Sequence, residues 1–186
     1  MQLVDDLPTI SIIGPLDNSA EHRIRGRIER LARLPIGGAV LQLNSPGGSV
    51  EVADRIGADL VALRRPIGAH VASQTASAAA RLLAVADHRT IAPGAFVALH
   101  RAEILPQQRW TADQHRRAAA YLEQSDSDTA ALLARQLGLN PWAVDQMLSG
   151  EFRISAWEAR NMGLVHRIVP DGSAMAWHRA AVHRHG

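Results

Sequence analysis

The chain has 186 residues, of which 47% are hydrophobic and 20% are charged, and this composition is typical of a single globular domain with a sizeable core. It contains no cysteine, which excludes disulfides, thiol nucleophiles and thiolate metal sites. It also contains no lysine, and its formal net charge is only +2, so the composition does not indicate a nucleic-acid-binding protein.

The N-terminus and the hydropathy pattern bear on localisation. No apolar run approaches the roughly 20 residues that a membrane-spanning helix needs. Asp5 and Asp6 stand where a signal peptide would carry positive charge. We therefore expect a cytoplasmic protein that has neither a membrane nor a nucleic acid as a partner.

The first third of the chain alternates predicted strands with predicted helices. Predicted strands cover residues 9–14, 40–44 and 67–72, and predicted helices run from Asn18 or Ser19 to Leu34 and over 50–63. Such a βαβ order predicts a mainly parallel sheet with right-handed crossovers.

The remainder of the chain predicts more helix than strand. The predicted helices cover 77–86, about 111–138, a short segment after Asn140, one opening at Ser155 and one from Ser173, and the predicted strands cover 90–92, 96–100 and 164–169. The helix over 111–138 has only a modest apolar stripe, so we expect it to project from the sheet or to pack on another subunit. With no repeat and no linker, residues 1–186 are predicted to be one domain.

A proline-broken, double-glycine turn separates the second strand from its helix. Gly47 and Gly48 have no Cβ, so a ligand can approach their main chain closely. Backbone N–H groups near a helix start favour an anion or a developing oxyanion. A Pro-Gly-Gly segment alone is more commonly a plain turn.

Ser77 is the candidate nucleophile. It lies between a predicted core strand and a predicted buried helix, where its own N–H and that of Ala78 would lie near a helix start. The simpler interpretation is that Ser77 is an N-cap and that small residues let this helix pack closely. Ser73 is a competing candidate on the same segment.

His100 is the candidate general base because it ends an apolar predicted strand, which would hold its backbone in one orientation. Serine is a weak nucleophile until a base accepts its proton, so the pair of Ser77 and His100 indicates nucleophilic catalysis. The carboxylate that would orient the imidazole is Glu151 or Asp145, both of which precede the motif at 154–156.

The order of these motifs resembles the proteolytic subunit family of the Clp protease, from about residue 10 to residue 169. The matching motifs are Asn44-Ser-Pro-Gly-Gly48, Gln74-Thr-Ala-Ser-Ala78, Leu99-His100, Ile154-Ser-Ala-Trp-Glu-Ala159 and Met162-Gly-Leu-Val165. The resemblance implies an α/β fold of the ClpP/crotonase-like ββα-spiral type with a protruding handle helix. It also implies a serine peptidase that hydrolyses peptides or unfolded proteins through an acyl-enzyme inside an oligomeric chamber, with no cofactor or metal.

The resemblance also implies roles for individual residues. Ser77 matches the nucleophile and His100 the general base, whereas Glu151 falls where the family has its catalytic aspartate. Gly48 and Ala78 match the positions whose N–H groups form the oxyanion hole, with Gly47 beside them. The helix from about 111 matches the handle through which two heptameric rings stack, so a homo-oligomeric ring is expected.

Three departures from the family pattern leave alternatives open. Glu151 is one methylene longer than aspartate, and Ala78 and Ala79 replace the usual Met-Gly pair. The chain begins about where the family's first strand does, so we expect no axial-loop segment, and a partnership with an AAA+ unfoldase is doubtful. The first alternative is an inactive ring subunit or scaffold, and a less favoured one is a crotonase-type acyl-CoA enzyme. A catalytic Ser–Lys dyad is excluded because the chain has no lysine.

Overall fold

The protein has a mixed α/β fold, described here from a computed structural model that covers residues 7–35, 37–104, 106, 108–150 and 152–170. Seven strands, five α-helices and one 3₁₀ helix are formed by these residues. The strands are β1 (Thr9–Ile13), β2 (Ala39–Ser45), β3 (Ile67–Ala76), β4 (His88–Ile91), β5 (Phe96–Leu99), β6 (Phe152–Ser155) and β7 (Arg167–Ile168). The α-helices are α1 (Asn18–Ala32), α2 (Val50–Ala62), α3 (Ala112–Leu137), α4 (Pro141–Ser149) and α5 (Ala156–Asn161), and the 3₁₀ helix is Ser77–Leu83.

The sheet is parallel in the order β1-β2-β3-β4-β7, as the βαβ pattern predicts. β5 leaves this path: it pairs with β3 in parallel and with β6 in antiparallel orientation. α1 and α2 cover the sheet with their apolar faces, which bury the residues at helical spacing. These residues are Ile24, Ile28 and Leu31 on α1 and Val52, Ile56 and Leu60 on α2.

β3 is the longest strand, and it carries the chain from the core to the candidate nucleophile. Its first half pairs with β2 and β4, and residues 74–76 pair with β5. The sequence pattern predicts that this strand ends at residue 72, because the polar side chains that follow do not look like a core strand. Pairing with β5 extends it to Ala76, so Ser73 lies within the strand and Ser77 directly after it.

α3 is the long helix that the sequence predicts from Thr111. The predicted capping box is present, because the Thr111 hydroxyl accepts the Gln114 N–H and the Gln114 side chain accepts the Thr111 N–H. Gly138 ends the helix with a φ of 70°. Every buried α3 residue lies at or after Ser125, so the first half of the helix stands clear of the core.

Several local predictions differ from the structure. Asp17, not Asn18 or Ser19, caps α1, since its carboxylate accepts the Ala20 N–H at 2.7 Å. The segment after β3 is a 3₁₀ helix over Ser77–Leu83 rather than a longer α-helix, and the last strand is only Arg167–Ile168. The helix predicted from Ser173 lies outside the described residues. Within the described ranges, no helix is both long and apolar enough to cross a membrane.

Candidate active site

The double-glycine turn between β2 and α2 is held by Leu16. The Leu16 N–H donates to the Gly47 carbonyl at 2.7 Å, and the Ser49 N–H donates to the Leu16 carbonyl at 2.9 Å. These two bonds form a parallel bridge between Leu16 and Gly48, so the N–H of Gly48 itself is turned away from Leu16. The φ of Gly48 is 142°, and a Cβ on this residue would lie 2.5 Å from the Leu16 carbonyl oxygen, so the turn requires glycine here.

Gly47 brings this turn against the residues that follow β3. Its φ is 96°, and a Cβ built on it would lie 2.6 Å from the Ala76 carbonyl oxygen, 2.6 Å from the Ser77 Cβ and 3.1 Å from the Ala78 nitrogen. A side chain would therefore separate the two segments. The structure thus brings together Gly47, Gly48, Ser77 and Ala78, which the sequence predicts to share one site.

Ser77 is held in an unusual backbone conformation. It is the first residue of the 3₁₀ helix, and its φ is 51°. A non-glycine residue with positive φ costs about 1–3 kcal/mol and persists only where the surrounding structure imposes it. The sharp turn from strand to helix leaves the Ser77 side chain partly exposed, while Ala78 and Ala79 are buried behind it.

His100 follows the last residue of β5 and is half-buried. Its Nδ1 lies 2.6 Å from the carbonyl oxygen of Arg101, the next residue. A carbonyl oxygen only accepts hydrogen bonds, so this contact requires the ring hydrogen on Nδ1. In the neutral imidazole, Nε2 then carries the lone pair that a general base needs.

Ser77 and His100 line the same narrow cleft, although they come from different strands of the sheet. The remaining lining residues are Val50, Ala78, Arg81, Leu99, Ala102, Ser125, Asp126, Thr129 and Leu148. Among the described residues, no hydrogen bond joins Ser77 to His100 in this structure. Ser73 is exposed on β3 and does not line this cleft, which favours Ser77 as the nucleophile.

The two candidates for the carboxylate beside His100, Glu151 and Asp145, lie in different parts of the chain. Glu151 lies outside the described residues. It precedes Phe152, and Phe152 pairs with Leu99, the neighbour of His100, in the β5–β6 ladder. Asp145 is on α4, where its Oδ1 accepts from Arg101 Nη2 at 3.0 Å, and it does not line the cleft.

Arg101 lies between two carboxylates, one on α3 and one on α4. Its guanidinium contacts Asp126 at 3.3 Å and Asp145 at 3.0 Å, and it donates to the Ser149 hydroxyl at 2.8 Å. These partners raise the pKa of Arg101, with the hydrogen bond to Asp126 as the largest cause and that to Asp145 next. The segment that follows His100 is therefore fixed by charge to both helices.

Arg81, one turn after Ser77, connects the 3₁₀ helix to α2 and α3. Its side chain is 8% exposed. Nε and Nη2 donate to the two carboxylate oxygens of Asp54 at 2.8 and 2.9 Å, and Nη1 donates to the Thr129 hydroxyl at 2.5 Å. This planar, bidentate pairing fixes the 3₁₀ helix against its neighbours.

The sequence pattern does not predict the α3 residues of the cleft. Ser125 and Asp126 are buried, and the Ser125 hydroxyl has no hydrogen-bond partner among the described residues. One signal was available: Asp126 follows Leu122 by four residues and precedes Leu133 by seven, so a carboxylate occupies an apolar position of the helix face. Which cleft that face would line depends on tertiary packing, and the sequence does not contain that information.

Comparison with known proteins identifies relatives along nearly the whole chain. The family described as Clp protease matches residues 3–172. A Streptomyces coelicolor protein, whose name describes it as similar to the proteolytic subunit of the ATP-dependent Clp protease, is 29% identical over 159 residues. That alignment covers 84% of this chain and 75% of the relative.

Proposed function

The chain belongs to the Clp protease family, and we propose that it is a serine peptidase that hydrolyses peptides or unfolded proteins through an acyl-enzyme. The observation that carries this proposal is the shared cleft of Ser77 and His100, in which Ser77 is strained at a φ of 51° and packed against Gly47. A serine on a sharp turn that shares a cleft with a histidine suits nucleophilic catalysis, because a base must accept the hydroxyl proton.

In the proposed mechanism, Ser77 Oγ attacks the scissile carbonyl while His100 Nε2 accepts the hydroxyl proton. The N–H groups of Gly48 and Ala78, with Gly47 beside them, stabilise the oxyanion of the tetrahedral intermediate. His100 then donates its proton to the leaving amine as the carbon–nitrogen bond breaks. Water attacks the resulting ester with His100 again acting as base, which releases the acid and regenerates Ser77.

We assign Glu151 to stabilise the imidazolium that His100 becomes during the reaction. The support is its position in the chain: it precedes Phe152, whose backbone pairs with Leu99 beside His100. Asp145 is less suited to this role because Arg101 already occupies its carboxylate.

We also propose that the protein assembles into a homo-oligomeric ring and that α3 is its handle. Clp protease family members form such rings. The first half of α3 is supported by few neighbours within the chain, and its buried residues begin only at Ser125. Tyr121 donates a hydrogen bond to Glu51, but no residue of the first half is buried, so this half of the 26-residue helix is suited to pack on a second subunit.

Hydrolysis of short fluorogenic peptides and of an unfolded protein tests the proposed activity. The wild-type protein should cleave both, and Ser77→Ala should reduce cleavage to the background rate. Ser73→Ala is the matched control, because Ser73 is exposed on β3, four residues before Ser77, and lies outside the cleft. Cleavage that survives in Ser77→Ala would refute the assignment, and a well-formed wild-type ring without activity would favour the inactive-subunit alternative.

A further inference from the structure

The segment after β5 determines how His100 is held. Residues 100–104 form no regular secondary structure, and the carbonyl of Arg101 accepts the Nδ1 hydrogen of His100 at 2.6 Å. A group that fixes this carbonyl would therefore also fix the imidazole ring and its tautomer.

Asp126 is the group that fixes this carbonyl. The Arg101 carbonyl and the Ala102 N–H belong to one peptide unit, which is planar and rigid. The Ala102 N–H donates to Asp126 Oδ1 at 2.7 Å. The same peptide unit thus donates to Asp126 at its N–H and accepts from His100 at its carbonyl.

The second carboxylate oxygen of Asp126 holds the same segment through the side chain of Arg101. Oδ2 lies 3.3 Å from Arg101 Nη1, and Arg101 is in turn bound to α4 through Asp145 and Ser149. Asp126 itself is 9% exposed and lies on the buried half of α3, which is a rigid support. A buried carboxylate needs such partners, because an unpaired one is strongly unfavourable.

A hydrogen bond from a peptide N–H to a carboxylate also strengthens the carbonyl of that peptide as an acceptor, because neighbouring hydrogen bonds polarise one another. The hydrogen bond that Asp126 accepts from the Ala102 N–H therefore makes the Arg101 carbonyl a stronger acceptor for the Nδ1 hydrogen of His100. Like a carboxylate in direct contact with the ring, this arrangement favours the Nδ1–H tautomer and leaves Nε2 as the base.

We propose that Asp126 is a positioning residue that holds His100 in the tautomer and orientation required of a general base, through the peptide unit between Arg101 and Ala102. This inference rests on the proposed peptidase function. It differs from the assignment of Glu151, which concerns the charged imidazolium during the reaction. Asp126 acts on the neutral ring before substrate binds.

The test is the tautomer of His100 in protein labelled with ¹⁵N-histidine, measured by solid-state NMR, with His100→Asn used to assign the ring signals. The wild-type protein should show a protonated Nδ1 and an unprotonated Nε2. Asp126→Ala should give a mixture of tautomers. The second readout is the rate at which a fluorescent phosphonate, which reacts with activated serines, labels Ser77. Asp126→Ala should slow this labelling at least about tenfold, which is within the usual contribution of a general base.

Two variants separate positioning from a loss of folding. Asp126→Asn retains an oxygen that accepts the Ala102 N–H, so it should keep the wild-type tautomer and most of the labelling rate. Asp128→Ala is the matched control: Asp128 is exposed on the same helix, accepts from Gln124 and is outside the cleft, so its loss should change neither readout. An unchanged tautomer in Asp126→Ala, or an Asp126→Asn variant as impaired as Asp126→Ala, would overturn the inference.

The tautomer measurement also separates this inference from the proposed function. If the wild-type protein does not react with the phosphonate but loses its Nδ1–H tautomer in Asp126→Ala, the peptidase proposal fails and the positioning role stands. If Ser77 reacts at the same rate and the tautomer is the same in both proteins, the positioning role fails and the peptidase proposal stands.

Discussion

Gly47 lies so close to Ser77 that a Cβ on the glycine would be 2.6 Å from the Cβ of the serine. Real Cβ atoms do not approach other atoms this closely, so the contact exists only because residue 47 has no side chain. The distance joins the two segments whose chemistry the proposed mechanism combines: the double-glycine turn and the strained nucleophile.

Gly47→Ala should therefore impair the nucleophile without removing it. The new methyl group must displace Ser77 or the turn, and forced overpacking of this kind costs about 1–3 kcal/mol. About 1.4 kcal/mol corresponds to a tenfold change in rate, so a cost of this size on the reactive geometry of Ser77 should slow its phosphonate labelling by about 5- to 150-fold. Gly94→Ala is the control, because a Cβ on Gly94 meets no atom within 4 Å. Equal labelling of both variants would contradict the close packing of the turn on Ser77.

Arg81 should contribute measurably to stability. Arg81→Ala removes two hydrogen bonds to Asp54 and one to Thr129 and leaves a cavity beside the 3₁₀ helix. A hydrogen bond to a charged group contributes about 1.5–3 kcal/mol to stability. Because the half-exposed Asp54 can bind water once Arg81 is removed, we expect the free energy of unfolding to fall by about 2 kcal/mol in total. Urea unfolding of the wild-type protein and Arg81→Ala measures this decrease in stability. Arg23→Ala, at an exposed arginine on α1, should unfold close to the wild-type midpoint; an equal effect of the two changes would refute the structural role of Arg81.

Glu151→Gln should slow catalysis while leaving substrate binding nearly unchanged. Glutamine keeps the size of the side chain but removes the charge that stabilises the His100 imidazolium in the transition state. We expect kcat for a peptide substrate to fall about a hundredfold, with KM changing little. Glu151→Asp, which restores the family's residue, should remain active. Glu29→Gln, at an exposed position on α1, is the control, and an active Glu151→Gln variant would remove Glu151 from the mechanism.

His166 should make the protein less stable as the pH falls below neutrality. Burial lowers the pKa of His166, and the charge of Arg89 and then that of His88 lower it further. The unfolded chain then binds a proton at the ordinary histidine pKa of about 6.5, while the folded chain resists it. The stability that the neutral ring provides is thus fully present above about pH 6.5 and is lost as the pH falls from there through the folded pKa.

His166→Asn tests this dependence. Asparagine does not titrate, and its side-chain oxygen can replace Nδ1 as the acceptor of the Arg89 N–H, which donates at 3.0 Å. Between pH 7.5 and 5.5, the urea midpoint of the wild-type protein should fall more than that of this variant. His22→Asn, at an exposed position on α1, should retain the wild-type pH dependence. If the urea midpoint fell equally in the wild-type protein and in His166→Asn, the pH dependence of stability would come from other titrating groups.

Local signals in the sequence predict the parts of the fold that depend on local physics. The βαβ order, the capping box of Thr111 and Gln114 and the helix end at Gly138 all follow from periodicity and capping chemistry, and the structure confirms them. The extension of β3 to Ala76 was missed because it depends on pairing with β5, a contact between distant parts of the chain.

In the candidate site too, local motifs predict some residues, whereas others depend on contacts between distant parts of the chain. Gly47, Gly48, Ser77 and His100 could be found from motifs, because turns and strand ends leave a local pattern. The contact of Asp126 with the segment after His100 could not, since it requires the register of α3 against the sheet. The choice between Ser77 and Ser73 likewise needed the true end of β3, which places Ser77 on the strained turn.

The role of Ser77 as the nucleophile is tested most directly by labelling with a fluorescent phosphonate at neutral pH. Wild-type protein and Ser77→Ala are compared after light scattering has given their mass, and mass spectrometry identifies the modified peptide. We expect a single adduct on Ser77 in the wild-type ring and none in the variant. An adduct on another residue, or no adduct on a well-formed wild-type ring, would contradict this role.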